Sequence, residues 1–309
     1  MDFTYAQIDA AGKIVRRHLP PTPMWSYPVL NAAVGATVLV KHENVQPIGA
    51  FKVRGGLTLL DGMPPGDLVT FSTGNHAQSL AYAGHVYGVR CTVVVPVGTN
   101  PAKVAAVEAW GSEVVLTGDD LEGAQAYAEG LPGRLVSPGN TPELLAGVGT
   151  LYQEILEAAP DLDAILVPVG SGTGAAAASV VARELAPGCR VIGVQSDASP
   201  AAHDSWRAGA PVQRPNRTRV AGLATGSGYD LPQRILREFL ADFLLVSDDQ
   251  IDDARRLLAS AAHTLAEGAG ATGLAALMSD PERFAGQRVA IVCTGGNASP
   301  AELSSLTGA

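Results

Sequence analysis

Apolar positions along the chain fall into two kinds of run. Nine short β-branched stretches are apolar on consecutive residues: TVLVKH (37–42), DLVTFS (67–72), CTVVVP (91–96), EVVLTG (113–118), GRLVSP (133–138), AILVPVG (164–170), RVIGVQS (190–196), DFLLVSD (242–248) and RVAIVCTGG (288–296). Between them lie Ala/Leu-rich stretches with helical spacing, at 77–88, 100–111, 121–131, 147–160, 174–187 and 248–268. A run apolar at every position buries both faces of a strand, as in parallel sheets covered by helices. Alternation of such runs with amphipathic helices predicts an α/β fold. Nine strands exceed an ordinary sheet of about five or six, so two open, twisted, mostly parallel sheets flanked by helices are expected. Turn-rich breaks at DGMPPG (61–66) and SPGNTPELLAG (137–147) suggest the partition. Residues 1–61 and 146–309 would form a larger domain, and 62–145 a smaller one inserted in it.

Composition narrows the functional classes. The 309 residues carry 21 Lys+Arg against 30 Asp+Glu, a net charge of −9, with 47% hydrophobic residues. Disorder does not fit that composition, and a nucleic-acid partner needs a basic surface that is missing. The densest basic cluster, Arg214, Arg217 and Arg219, reads as a solvated loop. The first residues show no apolar signal-peptide core, and no run reaches the roughly 18 apolar residues of a membrane span. Cys91, Cys189 and Cys293 are odd in number and each lies in an apolar run. Buried free thiols in a cytoplasmic protein are therefore expected, rather than disulfides or a metal site.

Ligands in open parallel sheets sit beyond the carboxyl ends of the strands. Four strand-end loops here carry the chemistry. Gly170-Ser171-Gly172-Thr173-Gly174 follows a strand and opens an Ala-rich helix. Its amide N–H groups can cup an anion such as phosphate. The same glycines loosely fit a dinucleotide fingerprint, with Gln195 or Asp197 downstream, and a plain tight turn is the ordinary reading. Phe51 and Lys52 stand between Gly49 and Gly55-Gly56. Alone, Lys52 would be a loop lysine. Beside a phosphate cup, a desolvated amine can condense with an aldehyde cofactor, and pyridoxal phosphate (PLP) carries both groups. Ser72-Thr73-Gly74-Asn75-His76 leads a strand into a helix, suited to capping that helix and to holding a carboxylate. Thr294-Gly295-Gly296-Asn297 places a hydroxyl at a strand end.

Taken together, these motifs resemble the fold-type II (tryptophan synthase β-like) PLP enzymes, in particular the threonine/serine dehydratase and serine racemase group. The resemblance runs from Pro21-Thr22-Pro23 to Gly295-Gly296-Asn297, with the four motifs in the family's order. It implies that Lys52 bonds PLP and then acts as general base, and that Phe51 packs on the pyridine ring. Asn75 would hydrogen-bond the cofactor's phenolic oxygen. Ser72, Thr73, Asn75 and His76 would hold the substrate carboxylate. Gly170, Ser171, Gly172, Thr173 and Gly174 would take the phosphate, and Thr294 would face the pyridine nitrogen. A hydroxyl partner leaves that nitrogen largely unprotonated, which favours elimination of a β-leaving group. The implied activity is an ammonia-lyase converting a β-hydroxy amino acid, such as L-threonine or L-serine, to a 2-oxoacid and ammonia. A smaller domain closing over the substrate, and a homodimer, are also implied.

The departures from the family pattern are local. Ala50 replaces a serine before Phe51-Lys52, and GSGTG replaces a run of glycines. Thr73 stands where racemases carry a serine that acts as acid/base on the opposite face; it keeps the hydroxyl and adds a methyl group. The 217–223 stretch RTRVAGL lacks the carboxylates of the family's cation site, so no metal is expected. A regulatory C-terminal domain like that of biosynthetic threonine dehydratases is not expected after Asn297. Glu267 to Ala271 also match the family and read as helix packing near the cofactor. Four other readings stay open: an amino-acid racemase, a lyase for 3-hydroxyaspartate or a β-aryl serine, an NAD-dependent oxidoreductase using GSGTGA, and a non-catalytic PLP or amino-acid binding protein.

Overall fold

The computed structural model describes residues 3–307. Ten strands are present: β1 (Met24–Ser26), β2 (Thr37–His42), β3 (Leu68–Phe71), β4 (Cys91–Val95), β5 (Glu113–Leu116), β6 (Arg134–Val136), β7 (Ala164–Pro168), β8 (Arg190–Ser196), β9 (Asp242–Val246) and β10 (Arg288–Cys293). The helices are α1 (Tyr5–Val15), α2 (Pro28–Val34), α3 (Val53–Leu60), α4 (Asn75–Tyr87), α5 (Pro101–Glu108), α6 (Leu121–Glu129), α7 (Pro142–Ala158), α8 (Thr173–Leu185), α9 (Ala201–Ala208), α10 (Asp230–Phe239), α11 (Asp248–Ala261), α12 (Gly268–Ser279), α13 (Pro281–Phe284) and α14 (Pro300–Ser305).

The strands form two sheets. One has six strands in the order β1-β2-β10-β7-β8-β9, the other four in the order β5-β4-β3-β6. All pairings are parallel except β1 with β2. The nine apolar runs became β2 to β10. The tenth strand, β1, is three residues long and largely exposed, so no run of apolar residues announced it.

Side-chain alternation explains why both faces of the six-stranded sheet are apolar. Leu39, Ile165 and Val167 face a core shared with α1, α7, α8 and α10. Their neighbours Val38, Val40, Ala164 and Leu166 face α2, α11 and α12. The four-stranded sheet is packed the same way, with α3, α4 and α5 on one side and α6 on the other. The stretch 248–268, read as one helix, is a helix followed by a loop. Helix α11 starts with a Ser247/Gln250 capping box and ends at Ala261, and His263 follows in the left-handed region at φ 52°. Helix α12 then begins at Gly268. Among the described residues no helix is long and apolar enough to cross a membrane, and no group of three or more His, Cys, Asp or Glu could hold a metal ion. All three cysteines are free and buried.

Candidate active site

The carboxyl ends of β2, β3, β7 and β10 bring the four loops together, and hydrogen bonds tie each loop to another. Phe51 N donates to Thr294 O at 2.9 Å, Gly296 N donates to Gly49 O at 2.9 Å, and Ala50 pairs with Gly295 as a short antiparallel bridge. Asn297 Nδ2 donates to Asn75 Oδ1 at 2.8 Å. Lys52 Nζ donates to Thr173 Oγ1 at 3.0 Å. The lysine thus belongs to the same small space as the glycine cup.

Lys52 stands at the N-cap of α3. Ser79 on α4 donates to its backbone carbonyl at 2.5 Å, and the Phe51 ring centroid is 5.1 Å from Nζ. No carboxylate pairs with this amine among the described residues. Enclosure by protein therefore disfavours the ammonium form and lowers the pKa to about 8.

Strand β7 ends at Pro168 and α8 begins at Thr173. Gly172, the N-cap of α8, has φ +87°, a conformation that glycine adopts freely. A side chain at Gly170 would overlap the backbone carbonyl of Gly222. The first N–H groups of α8 have no intrahelical partner and are free for an anion. Beside Gly174, the Tyr152 hydroxyl is buried without a hydrogen-bond partner among the described residues. A glycine cradle, an unused hydroxyl and an amine without a counter-ion fit PLP, which brings a phosphate and an aldehyde. The dinucleotide reading of the same glycines finds no acceptor in Gln195. That side chain is buried and engaged, with Oε1 accepting from His203 N and Nε2 near Thr225.

The Ser72–His76 loop opens α4. Ser72 Oγ accepts from Gly74 N at 3.2 Å, and Ser72, Thr73, Thr99 and Lys103 line one small cavity. Asn75 and His76 are the first residues of α4, so their N–H groups face its open end. The His76 ring turns inward, to Thr70 Oγ1 at 3.1 Å. Burial, and then the nearby Lys52 charge, push its pKa down to about 3, so the ring stays neutral. His76 can offer this loop its backbone, while its ring serves the core. Thr294 is buried at the end of β10.

Two features escaped sequence reading. Glu267, taken as helix packing, accepts from Asn75 Nδ2 at 2.7 Å. Burial raises its pKa to about 7, against the lowering influence of that hydrogen bond. Arg54, two residues after Lys52, is fully buried; its Nε and Nη2 donate to Glu43 at 2.8 and 2.8 Å, and its Nη1 and Nη2 donate to Glu154 at 2.7 and 2.9 Å. Burial alone would push the Glu43 carboxyl up, but the Arg54 charge and its hydrogen bonds outweigh this and hold it low. Arg219, from the basic cluster read as a solvated loop, is paired with Asp249 and Asp252 at 2.9 and 2.8 Å.

Such a lysine, set among anion-binding loops at converging strand ends, is the mark of an enzyme that holds a phosphorylated aldehyde. Comparison with known proteins agrees. The profile of the pyridoxal-phosphate dependent enzyme family matches residues 15–295, and the chain belongs to that family. It is similar to an L-threonine ammonia-lyase of Geobacter sulfurreducens, 35% identical over 95% of this chain and 75% of the relative. It is also similar to an L-threo-3-hydroxyaspartate ammonia-lyase of Saccharomyces cerevisiae, 31% identical over 95% and 93%. The solved processed form of threonine deaminase isoform 2 from Solanum lycopersicum superposes with a TM-score of 0.91 at 26% identity, covering 98% of this chain and 86% of that one. Serine racemases are among the other matches.

Proposed function

We propose that the protein is a PLP-dependent ammonia-lyase that releases a 2-oxoacid and ammonia from a β-hydroxy amino acid such as L-threonine or L-serine. The observation that carries this reading is the Lys52 amine, enclosed, without a carboxylate partner, and 3.0 Å from the cup residue Thr173. PLP, when bound, supplies an electron sink that makes the α C–H of an amino acid acidic. Lys52 is the general base: a pKa of about 8 keeps a useful fraction of neutral amine near neutral pH. The Thr173 hydroxyl holds Nζ at the mouth of the cup. Gly170 to Gly174 and the N-terminus of α8 hold the phosphate. Ser72, Thr73 and the N-terminus of α4 hold the substrate carboxylate. Residues 62–145 form a smaller unit whose closure excludes water from this space, while 1–61 and 146–309 form the larger one. The site belongs to a cytoplasmic homodimer.

Arg219, engaged by two aspartates, is not free to meet an acidic substrate. Lys103 favours a second reading, 3-hydroxyaspartate. It lines the cavity with Ser72 and Thr73 and has no ion-pair partner among the described residues.

The test is 2-oxoacid release by PLP-loaded protein from separate stereoisomers of serine, threonine, 3-hydroxyaspartate and phenylserine. Turnover of threonine or serine, abolished in Lys52→Ala, is the expected result. Turnover confined to 3-hydroxyaspartate and lost in Lys103→Met would establish the second reading. Exchange of the α-hydrogen without 2-oxoacid would replace both with a racemase.

A further inference from the structure

The side-chain amide of Asn75 is held from both ends, and its orientation follows from Ile48. A backbone carbonyl only accepts, so the Asn297 atom 2.9 Å from Ile48 O is Nδ2. The same Nδ2 reaches Asn75 at 2.8 Å, and Asn75 must therefore present Oδ1 there. Its other end is the donor Nδ2, which gives one proton to Glu267 Oε1 at 2.7 Å. Only one Nδ2 proton of Asn75 remains uncommitted.

Glu267 is itself fixed. It is the N-cap of α12, and its N–H donates to Gly295 O at 3.0 Å. A side chain at Gly295 would overlap Glu267 Oε1, so the glycine after Thr294 makes room for this carboxyl. The charged groups that face Glu267 are Lys103 and Glu302, which act in opposite directions; the Cys293 thiol also lies near it. No cation forms an ion pair with it among the described residues. Its one side-chain hydrogen bond goes to an amide that needs orienting.

We propose that Glu267 is a positioning residue for the cofactor: with Asn297 it fixes the Asn75 amide so that the second Nδ2 proton is reserved for the phenolic oxygen of PLP. This inference rests on PLP and on the role proposed for Asn75, and not on the identity of the substrate. A charge-assisted hydrogen bond is stronger than a neutral one, so an ionised Glu267 holds the Asn75 amide in this orientation more firmly than a neutral acceptor would.

The experiment titrates apo protein with PLP in the absence of substrate. It records affinity and the absorption maximum of the bound cofactor for wild type, Asn75→Ala, Glu267→Ala, Glu267→Gln and the Asn75→Ala/Glu267→Ala double variant. Each alanine variant is expected to bind PLP about tenfold more weakly, the scale of one hydrogen bond to a charged group. The double variant is expected to be no weaker than Asn75→Ala. Glu267→Gln keeps an acceptor oxygen and is expected to recover most of the affinity. Glu267→Ala should move the absorption maximum in the same direction as Asn75→Ala. Losses that multiply in the double variant, or an absorption maximum moved by Asn75→Ala and untouched by Glu267→Ala, would overturn the inference. If Glu267→Ala does not fold, Asn297→Ala takes its place. It frees the far end of the amide and should move the absorption maximum as Asn75→Ala does, and an unmoved maximum would again overturn the inference. Failure of wild type to bind PLP would remove the cofactor reading first and this inference with it.

Discussion

An enclosed amine with no counter-ion destabilises the apo protein that carries it. Lys52 has a folded pKa of about 8 against 10.5 for the free group. Between these values the unfolded chain holds the proton and the folded chain does not, so stability rises with pH through that window. Below it the full penalty is present, on the order of 3 kcal/mol. Apo Lys52→Met, which removes the charge and keeps the bulk, should therefore melt higher than apo wild type at pH 7, with the gap closing toward pH 10. Calorimetry of the two apo proteins measures this, and a lower melting temperature at pH 7 would mean that the amine is better solvated than its surroundings indicate. The residue on which turnover depends is then one the fold would be more stable without. Catalytic groups often carry such a cost in stability.

Helix α3 carries that strain, and a buried ion network holds it in place. Arg54 sits on the first turn of α3 and binds Glu43 before the helix and Glu154 on α7, while Lys41 on β2 reaches Glu154 at 2.6 Å. Removing the guanidinium leaves Glu43 buried and uncompensated, so Arg54→Met should lose about 3–5 kcal/mol of stability, read from urea unfolding of the apo protein. A loss under about 1 kcal/mol would show water reaching the carboxylates. This element also marks where the sequence stops being readable. Runs such as 164–170 and 190–196 declared themselves because two-sided burial leaves a continuous apolar record. Lys52, Asn75 and the glycine cup could be found because a close approach to a ligand restricts residue type. Helix α3, written VRGGLTLL, has neither signature: its glycines look like loop residues until α4 and α7 pack on them. Glu43 and Glu154 are 11 and 100 positions from Arg54. Spacing reports which face is buried and not which distant charge will meet it. Glu267 went unrecognised for the same reason, 192 positions from Asn75.

At the scale of the whole molecule, loops from both sheets meet at the site. Beyond β6, Gly139 lies under the ring of Tyr229, so close that a side chain there would overlap it. The next residue, Asn140, accepts from Leu231 N at 3.2 Å through Oδ1. A larger residue at 139 must push the loop after β6 away from the segment that enters α10. Gly139→Leu should therefore raise KM severalfold on whichever amino acid is turned over, with the melting temperature nearly unchanged. Unaltered steady-state kinetics would mean that this contact does not govern access to the cleft. Strand β2, near the start of the chain, lies between β1 and β10, and β10 is the last strand to leave the ribosome. The four-stranded sheet comes entirely from residues 68–136, and every strand it needs is synthesised long before β10. The six-stranded sheet must wait, with β2 lacking its parallel neighbour, until β10 has been made. Thr294 and Asn297 arrive later still, so the site proposed for the cofactor is complete only after every strand has been made. Such long-range pairing is slow and exposes apolar edges while it is incomplete, which makes the interval before β10 docks the period when this chain is most vulnerable to aggregation and most dependent on chaperones.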